Sequence, residues 1–316
     1  MLTHIFDWGN LVYGARVERT DFTSNGPDLG IAYNTTYTDV LPSAHLNIDL
    51  NEELKLRLSA STGISRPTYT EARASAVVDP TTRIVSGGNP FLEAETAMGV
   101  DASLEYYFAP ASIVSAAAFH RAVDKVLYVD STQVDGGLYV PTDAGVTYDL
   151  LGTVNGREGY LSGIEINVIA QASDFLPEAF AGFGVSLNAT LLDSEFETLS
   201  GSKFNLPGTS DAIYNASLFY ERGGLSARIN TMWRDAWLSS TESDSLAEYW
   251  DEQTRVDMSL RYTLPESLTS NAGVTLFANV NNLSDEIDVR YTGTAATPNQ
   301  VEGYGRYYAL GLRVDF

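Results

Sequence analysis

The chain of 316 residues lacks cysteine altogether, which excludes disulfide bonds, thiolate zinc sites and cysteine nucleophiles. Basic residues are scarce: 19 Lys and Arg stand against 41 Asp and Glu, so the formal net charge is −22. Such a charge disfavours nucleic acid as a partner, because binding to phosphates requires Lys and Arg. The sequence has no run of about 18 apolar residues, so we expect no transmembrane helix. Residues 1–10 have neither a basic start nor an apolar core, and we expect no signal peptide there.

Histidine is scarce as well, with only His4, His45 and His120 in the chain. None of them lies in a sequence setting typical of a hydrolase or a metalloprotease. The sequence therefore predicts that the chain is not an enzyme and that it has no catalytic residues, no metal site and no cofactor. A calcium site in the acidic loops is an alternative, although no run there matches the spaced oxygen ligands of an EF-hand. The residues of that alternative are Asp130, Asp135, Asp143, Glu242, Asp244, Glu248, Asp251 and Glu252.

Apolar residues recur at every second position along most of the chain, which is typical of strands with two different faces. In the segment 249–264, Val256, Met258 and Leu260 alternate with Arg255, Asp257 and Arg261. A sandwich would bury the apolar face in a core, whereas a membrane barrel would turn it to lipid and keep the polar face in a wet lumen. Alternation alone does not separate these two architectures.

The lengths of the strands favour the membrane barrel. Most of them exceed about a dozen residues, whereas strands of globular proteins usually have about 5–6 and tilted membrane strands need about 9–11 to span. Tyrosine and tryptophan near the strand ends suit the aromatic girdles at the two membrane interfaces, with Trp233, Trp237 and Tyr262 among them. The predicted strands are 10–22, 33–50, 53–65, 94–108, 112–128, 155–171, 182–197, 207–222, 225–238, 249–264, 272–284 and 302–316.

The connections between these strands alternate in length. Those at 51–52, 109–111, 223–224 and 265–271 are short, and 172–181 is a longer member of the same series. Between them lie the long connections 66–93, 129–154, 239–248 and 285–301, with intermediate ones at 23–32 and 198–206. Short turns on one side and long loops on the other are the layout of an outer-membrane barrel.

Several short motifs, taken in order, resemble those of a known family. They are Ser65-Arg66-Pro67, Gly88-Asn89-Pro90-Phe91-Leu92 before Glu95, Leu206-Pro207-Gly208 before Tyr214–Glu221, Asn282-Leu283-Ser284-Asp285, and the closing segment Gly305–Phe316. Together they resemble the C-terminal part of the β-barrel of a TonB-dependent outer-membrane receptor, and the resemblance covers nearly the whole chain.

The resemblance implies a 22-stranded barrel with an N-terminal plug and a TonB box. We therefore expect residues 1–316 to form one segment of such a barrel, all-β, an antiparallel meander of about twelve long strands, with the plug and the first barrel strands missing. In that family the complete barrel takes up a large scarce solute, such as a ferric siderophore, cobalamin or an oligosaccharide. The implied partners are outer-membrane lipid and the barrel-assembly machinery, with the TonB system engaged only through the missing plug region. The implied location is the bacterial cell outer membrane.

Two groups of residues are candidates for function. Arginine predominates on the predicted lumen face of 225–238 and 249–264, which suits a path for an anionic solute; salt-bridge ladders that stiffen the wall are the alternative. The path candidates are Arg228, Arg234, Arg255, Arg261 and Asp257. The apolar face of the last strand resembles the C-terminal assembly signal of outer-membrane barrels, whose last strand adds to another sheet edge. Its residues are Tyr304, Tyr308, Leu310, Leu312, Val314 and Phe316.

Two other architectures remain open from the sequence. Open sheet edges do not occur in the hydrocarbon region of a membrane, so twelve strands either close on themselves or are completed by another piece. A self-closing 12-stranded channel that passes solutes by diffusion is the main alternative, and its pore would be narrower than that of a 22-stranded barrel. A water-soluble β-sandwich or solenoid is the third option, and the strand and loop lengths speak against it.

Overall fold

The computed structural model describes residues 1–26, 31–241, 247–269 and 273–315. Its main sheet is one antiparallel meander in which each long strand pairs with the long strands that precede and follow it in this sheet. Twelve strands of 9 to 19 residues form this wall and confirm the predicted all-β meander of about twelve long strands. They are Gly9–Gly26, Ile31–Asp49, Leu54–Ser65, Glu95–Ala109, Ser112–Asp124, Gly159–Gln171, Phe183–Glu197, Ala212–Arg222, Leu225–Arg234, Gln253–Thr263, Gly273–Asn281 and Tyr307–Asp315.

A thirteenth wall strand, Leu2–Phe6, precedes these twelve and pairs with Gly9–Gly26 through a turn at residues 7–8. The sequence analysis missed it because five residues are too few for a clear alternation. Within the described residues, no ladder pairing joins Leu2–Phe6 to Tyr307–Asp315, so these two strands are the ends of the sheet. A two-residue strand, Lys203–Phe204, pairs with the last two residues of Phe183–Glu197.

The long connections contain two further sheets of four strands each. The first consists of Ala76–Asp79, Ile84–Gly87, Thr147–Asn155 and Leu127–Asp135, and the second of Trp237–Thr241, Ala247–Trp250, Asp288–Thr292 and Pro298–Glu302. Predicted strands that ran into these loops therefore end earlier: the segment predicted at 112–128 leaves the wall at Asp124, next to Lys125 with φ 61°. Similarly, the strand predicted at 225–238 stops at Arg234, and Trp237 belongs to a loop sheet rather than to an interface girdle.

Helices in the described residues are short. The α-helices are Tyr69–Ala72 and Glu266–Thr269, and the 3₁₀ turns are Gly136–Leu138, Pro141–Asp143, Ala172–Asp174 and Glu178–Phe180. The first helix begins with a capping box in which Thr68 and Glu71 satisfy each other's backbone N–H groups. Neither α-helix in the described part of the chain has the length and apolar character needed to cross a membrane.

The register of the wall separates two faces, which we call outer and inner. On the outer face, a row of directly opposed residues crosses the strands through Leu58, Ala102, Ala118, Ile164 and Leu191. The larger of these side chains remain exposed, Ile164 by 52% and Leu191 by 49%. Apolar side chains exposed over a whole face carry a large cost in water, whereas lipid removes that cost.

The inner face is polar and carries hydrogen-bonded ladders between strands. The Nδ2 of Asn188 donates to Oδ1 of Asn167 at 2.7 Å, and the Nδ2 of Asn215 donates to Oδ1 of Asn188 at 3.2 Å. Arg57 donates two hydrogen bonds to the Glu105 carboxylate on one neighbouring strand and a third to Oδ1 of Asn47 on the other neighbouring strand. Such pairs tie neighbouring strands together on the wet side of a barrel wall.

Three phenylalanines of the inner face lie directly opposite glycines on the neighbouring strand. A Cβ atom added at any of these glycines would overlap the facing ring. The missing side chain therefore makes room for the ring, a known way of stabilising a glycine in a sheet. The pairs are Phe119 with Gly163, Phe219 with Gly184, and Phe277 with Gly311.

Candidate functional site

Three of the five predicted path residues are occupied by partners within the chain. Arg255 pairs with Asp288 at 2.6 Å, and the Asp288 side chain is only 10% exposed. Arg234 donates from Nε to the Ser210 hydroxyl at 2.6 Å and from Nη2 to the Gly208 carbonyl. The Asp257 carboxylate accepts the backbone N–H of Asn282 at 2.8 Å. These three side chains, all at the long-loop end of the wall, fasten loops to strands.

The other two path residues, Arg228 and Arg261, lie at the short-turn end. They line a cavity of about 680 Å³ on the inner face together with Arg313 of the last strand. Arg228 is 3.8 Å from Glu221, and Arg313 is 3.0 Å from Asp315. The structure thus divides the predicted path into a group held by loops, of which Arg255 and Asp257 also line a smaller cavity of about 340 Å³, and a group that lines the cavity at the short-turn end.

A stack of four side chains lies where the second loop sheet meets the wall. The guanidinium carbon of Arg234 is 3.8 Å from the ring centre of Trp237, and that of Arg290 is 4.3 Å from the ring centre of Trp250. The two indole rings are 6.0 Å apart and inclined by 21°. We call these four residues the Arg–Trp stack. A cation over the face of an indole ring is attracted by the quadrupole of that ring, so the guanidinium groups of Arg234 and Arg290 hold the two tryptophans in place.

Register explains how distant residues form this stack. Trp237 lies opposite Trp250, and Trp250 lies opposite Arg290 on the next strand, so the three share one face. Sequence reasoning missed Arg290, because nothing in the segment 285–301 indicated that it pairs with residues 40 positions earlier. Of the four residues of the stack, the sequence analysis singled out only Arg234 and Trp237, and each for a different role.

The opposite face of the same loop sheet is buried. Leu238 is 1% exposed and packs in an apolar cluster with Val123, Val126, Tyr128 and Phe196. This cluster fixes the loop sheet to the inner face of the wall, because Val123 and Phe196 belong to wall strands.

Tyrosines of the loops differ in their availability to a ligand. Tyr249 stacks on Tyr291 at 5.5 Å, and burial raises the pKa of both hydroxyls. Tyr148 is 0% exposed, and its hydroxyl donates to Asp143, which raises the pKa of Tyr148. Tyr148 therefore holds the loop core and is closed to a ligand.

Acidic loop residues also have structural partners. The Asp135 carboxylate accepts the backbone N–H groups of Gly137 and Gly145, each at 2.9 Å, and these bonds lower the pKa of Asp135. Glu248 pairs with Arg290 at 3.3 Å. Glu242 and Asp244 lie outside the described residues. Within those residues, no group of three or more His, Asp or Glu side chains is arranged to hold a metal ion.

The residues of the predicted C-terminal assembly signal do not all lie on the last strand. Tyr308, Leu310, Leu312 and Val314 lie on the outer face of the last strand, opposite Val280, Ala278, Leu276 and Val274. Tyr304 precedes that strand, which begins at Tyr307 rather than at 302, and its hydroxyl donates to Glu302. Phe316 lies outside the described residues.

Solved structures of similar fold include transporters and receptors. The FrpB iron transporter from Neisseria meningitidis aligns with a TM-score of 0.62 and 14% identity, over 98% of this chain and 43% of that one. The siderophore receptor PirA from Acinetobacter baumannii aligns with a TM-score of 0.63 and 13% identity, over 98% and 43%. The copper transporter OprC aligns with a TM-score of 0.67 and 16% identity, over 98% and 45%.

At these identities the likeness establishes the fold, and the chain spans less than half the length of each of these three structures. No curated protein matches the chain at a significant level. The family model described as TonB dependent receptor-like, beta-barrel, matches residues 4–283. That range covers most of the wall and both loop sheets except Asp288–Thr292 and Pro298–Glu302. The chain therefore belongs to the TonB-dependent receptor β-barrel family.

Proposed function

We propose that the chain is the C-terminal wall of a TonB-dependent receptor in the bacterial outer membrane, where it serves the uptake of a large scarce solute. The observation that carries this proposal is the family match over residues 4–283. The two-faced wall agrees with it, because an apolar outer face and a hydrogen-bonded polar inner face suit lipid on one side and water on the other.

In this proposal a longer receptor supplies what this wall needs. The additional strands complete the barrel, and the plug engages the TonB system. Lipid covers the outer face, and the barrel-assembly machinery recognises the last strand through Tyr308, Leu310, Leu312 and Val314. The similar structures are those of an iron transporter, a siderophore receptor and a copper transporter. For this chain we propose a ferric siderophore, cobalamin or an oligosaccharide.

We assign first contact with the solute to the Arg–Trp stack. Its rings are half-buried and fixed between two guanidinium groups, so little conformational freedom is lost when a ligand packs against their exposed edges. An edge-to-face aromatic contact contributes about 0.5–1.5 kcal/mol beyond buried area, which corresponds to roughly 2- to 12-fold in affinity.

The test is uptake of labelled ferric siderophores, cobalamin and oligosaccharides by cells that produce the receptor, with and without a functional TonB system. We expect one solute class to accumulate only when TonB is active. Trp250→Ala should reduce that uptake 2- to 12-fold, while Trp233→Ala should leave it unchanged, because Trp233 stacks on Tyr214 on the outer face. Uptake that is equally fast without TonB would favour the self-closing passive channel and refute energy coupling.

A further inference from the structure

We propose that the cavity at the short-turn end of the inner face binds a small oxyanion, that is, a ligand bearing phosphate or carboxylate groups. Its core is formed by Arg228, Arg261 and Arg313. The inference rests on the proposed function only in that the inner face must line the lumen. It joins two residues of the predicted anion path, Arg228 and Arg261, with Arg313 in one binding site of stated chemistry, at the opposite end of the wall from the Arg–Trp stack.

The register brings the three arginines together from three strands. Arg228 lies opposite Ser259, two residues before Arg261 on the neighbouring strand. Arg313 lies opposite Thr275, which in turn lies opposite Thr263 on the strand of Arg261. The three arginines line the cavity together with a floor of short polar side chains, and the volume of about 680 Å³ falls within the usual range of small-molecule sites.

That floor consists of hydrogen-bond donors that suit an oxyanion. Thr263 and Thr275 face each other with their hydroxyl oxygens 3.2 Å apart. Hydroxyl groups turn to donate to an anion, and guanidinium groups bind carboxylate and phosphate with two parallel N–H donors. The remaining polar lining residues are Ser226, Ser259 and Asn279, together with two carboxylates, Glu221 and Asp315.

The charges of this cavity are available because its internal ion pairs are weak. Arg228 and Glu221 are 3.8 Å apart with side chains 47% and 58% exposed, and such surface pairs contribute little. Arg313 pairs with Asp315 at the rim, and both side chains are more than half exposed. Arg261 forms no ion pair with any described residue. Arg234 is the other inner-face arginine outside an ion pair in the described residues, and it is held by the Ser210 hydroxyl and the Gly208 carbonyl.

One of the arginines is also held in position before any ligand binds. The guanidinium carbon of Arg228 lies 5.0 Å from the ring centre of Phe219, and Phe219 is 8% exposed because it fills the space opposite Gly184. On the other side, Phe277 lines the cavity and fills the space opposite Gly311. Fixed donors bind an anion with a smaller entropic cost than mobile ones.

The experiment measures binding of inorganic phosphate and of citrate to the protein extracted from outer membranes in detergent, by titration calorimetry at low salt. We expect at least one of the two to bind, and its affinity to fall as salt rises, because the site is open to screening ions. Arg261→Gln should weaken binding at least tenfold. Arg222→Gln is the matched control, because Arg222 lies near the same end of the wall but pairs with Glu178 outside the cavity.

Arg313→Gln is the second variant, and it keeps the test valid if Arg261→Gln fails to fold; folding of each is checked by heat-dependent gel mobility. Absence of binding by the unmodified protein, or equal binding by folded Arg261→Gln and Arg313→Gln, would overturn the proposal. Because binding is measured without transport, a receptor that binds the anion but shows no TonB-dependent uptake would refute the proposed function and leave this site intact.

Discussion

Replacing Leu260 with arginine tests whether the outer face meets lipid. Leu260 lies on the outer face between Ala227 and Ala278 of the two adjacent strands, and its side chain is 42% exposed. Neither alanine offers a partner to a guanidinium group. An arginine at this position therefore has only lipid and its own backbone around it, whereas Arg261, the next residue, lies on the inner face.

The cost follows from the depth of the position. We take Thr254 and Tyr262 as the limits of the membrane-embedded band on this strand, because Thr254 lies in the row of the stacked pair Tyr214 and Trp233. The two residues are about 26 Å apart along the strand, which is about 20 Å of membrane depth at a tilt near 40°. Leu260 lies two residues from the lower limit of this band. Arginine costs about 2–4 kcal/mol at the midplane and about 0–1 near an interface, and the long side chain can reach towards the headgroups. We therefore expect about 2 kcal/mol, roughly 30-fold in the folding equilibrium.

The assay is urea unfolding in lipid vesicles, followed by tryptophan fluorescence and heat-dependent gel mobility. Leu260→Arg should lower the free energy of unfolding by about 2 kcal/mol, and Arg261→Leu should insert and unfold like the unmodified protein. Equal tolerance of both substitutions would refute the assignment of an outer lipid-facing side. So would equal destabilisation, since it would mean that both faces are packed against protein.

Three further predictions concern packing, pH and ligand contact. Gly311→Ala should destabilise the wall by about 1–3 kcal/mol, because the new Cβ overlaps the Phe277 ring, while Gly63→Ala, which has open space, should cost less than about 0.5 kcal/mol in the same unfolding assay. The loop held by Asp135 gains stability from a pKa below the ordinary value of 3.8. This contribution is complete above that value and is lost as the pH falls through the lowered pKa. Protection of the Gly145 amide against hydrogen exchange, relative to its intrinsic rate at each pH, should therefore fall only below about pH 4, and Asp135→Ala should remove this protection at all pH values. Tryptophan emission should change on addition of the transported solute, and Trp250→Ala should remove most of that change; an undiminished change would place the contact elsewhere.

The wall could be predicted from the sequence because its period is local. Each long strand carries its own alternation, so the stretch 249–264 indicated two faces without any knowledge of its neighbours, and the strand Gln253–Thr263 lies within it. Strand ends were less predictable. The connection expected at 23–32 is mostly strand, since the pairing of the two flanking strands continues to Gly26 and Ile31. Conversely, the strand predicted at 302–316 begins only at Tyr307, after Gly305 with φ 70°.

The loop sheets could not be predicted, because their strands are four to nine residues long and pair across large distances in the sequence. Ile84–Gly87 pairs in parallel with Thr147–Asn155, more than 60 residues later. Such pairing depends on how two loops meet above the wall, and no single segment carries a signal for it. The Arg–Trp stack arises from the same kind of meeting, which explains why Arg290 could not be recognised from the sequence as a neighbour of Trp250.

Loop length also decides which arginines of the inner face are free. At the long-loop end, the connection 282–306 supplies Asp288 to Arg255, and the segment before Ala212–Arg222 supplies the Ser210 hydroxyl to Arg234. At the other end, the strands of Arg228 and Glu221 are joined by Gly223 and Gly224 alone, and two residues cannot fold back over the wall. Alternation placed these arginines on one face, but only the lengths of the adjoining connections distinguish those that hold loops from those left to bind a ligand.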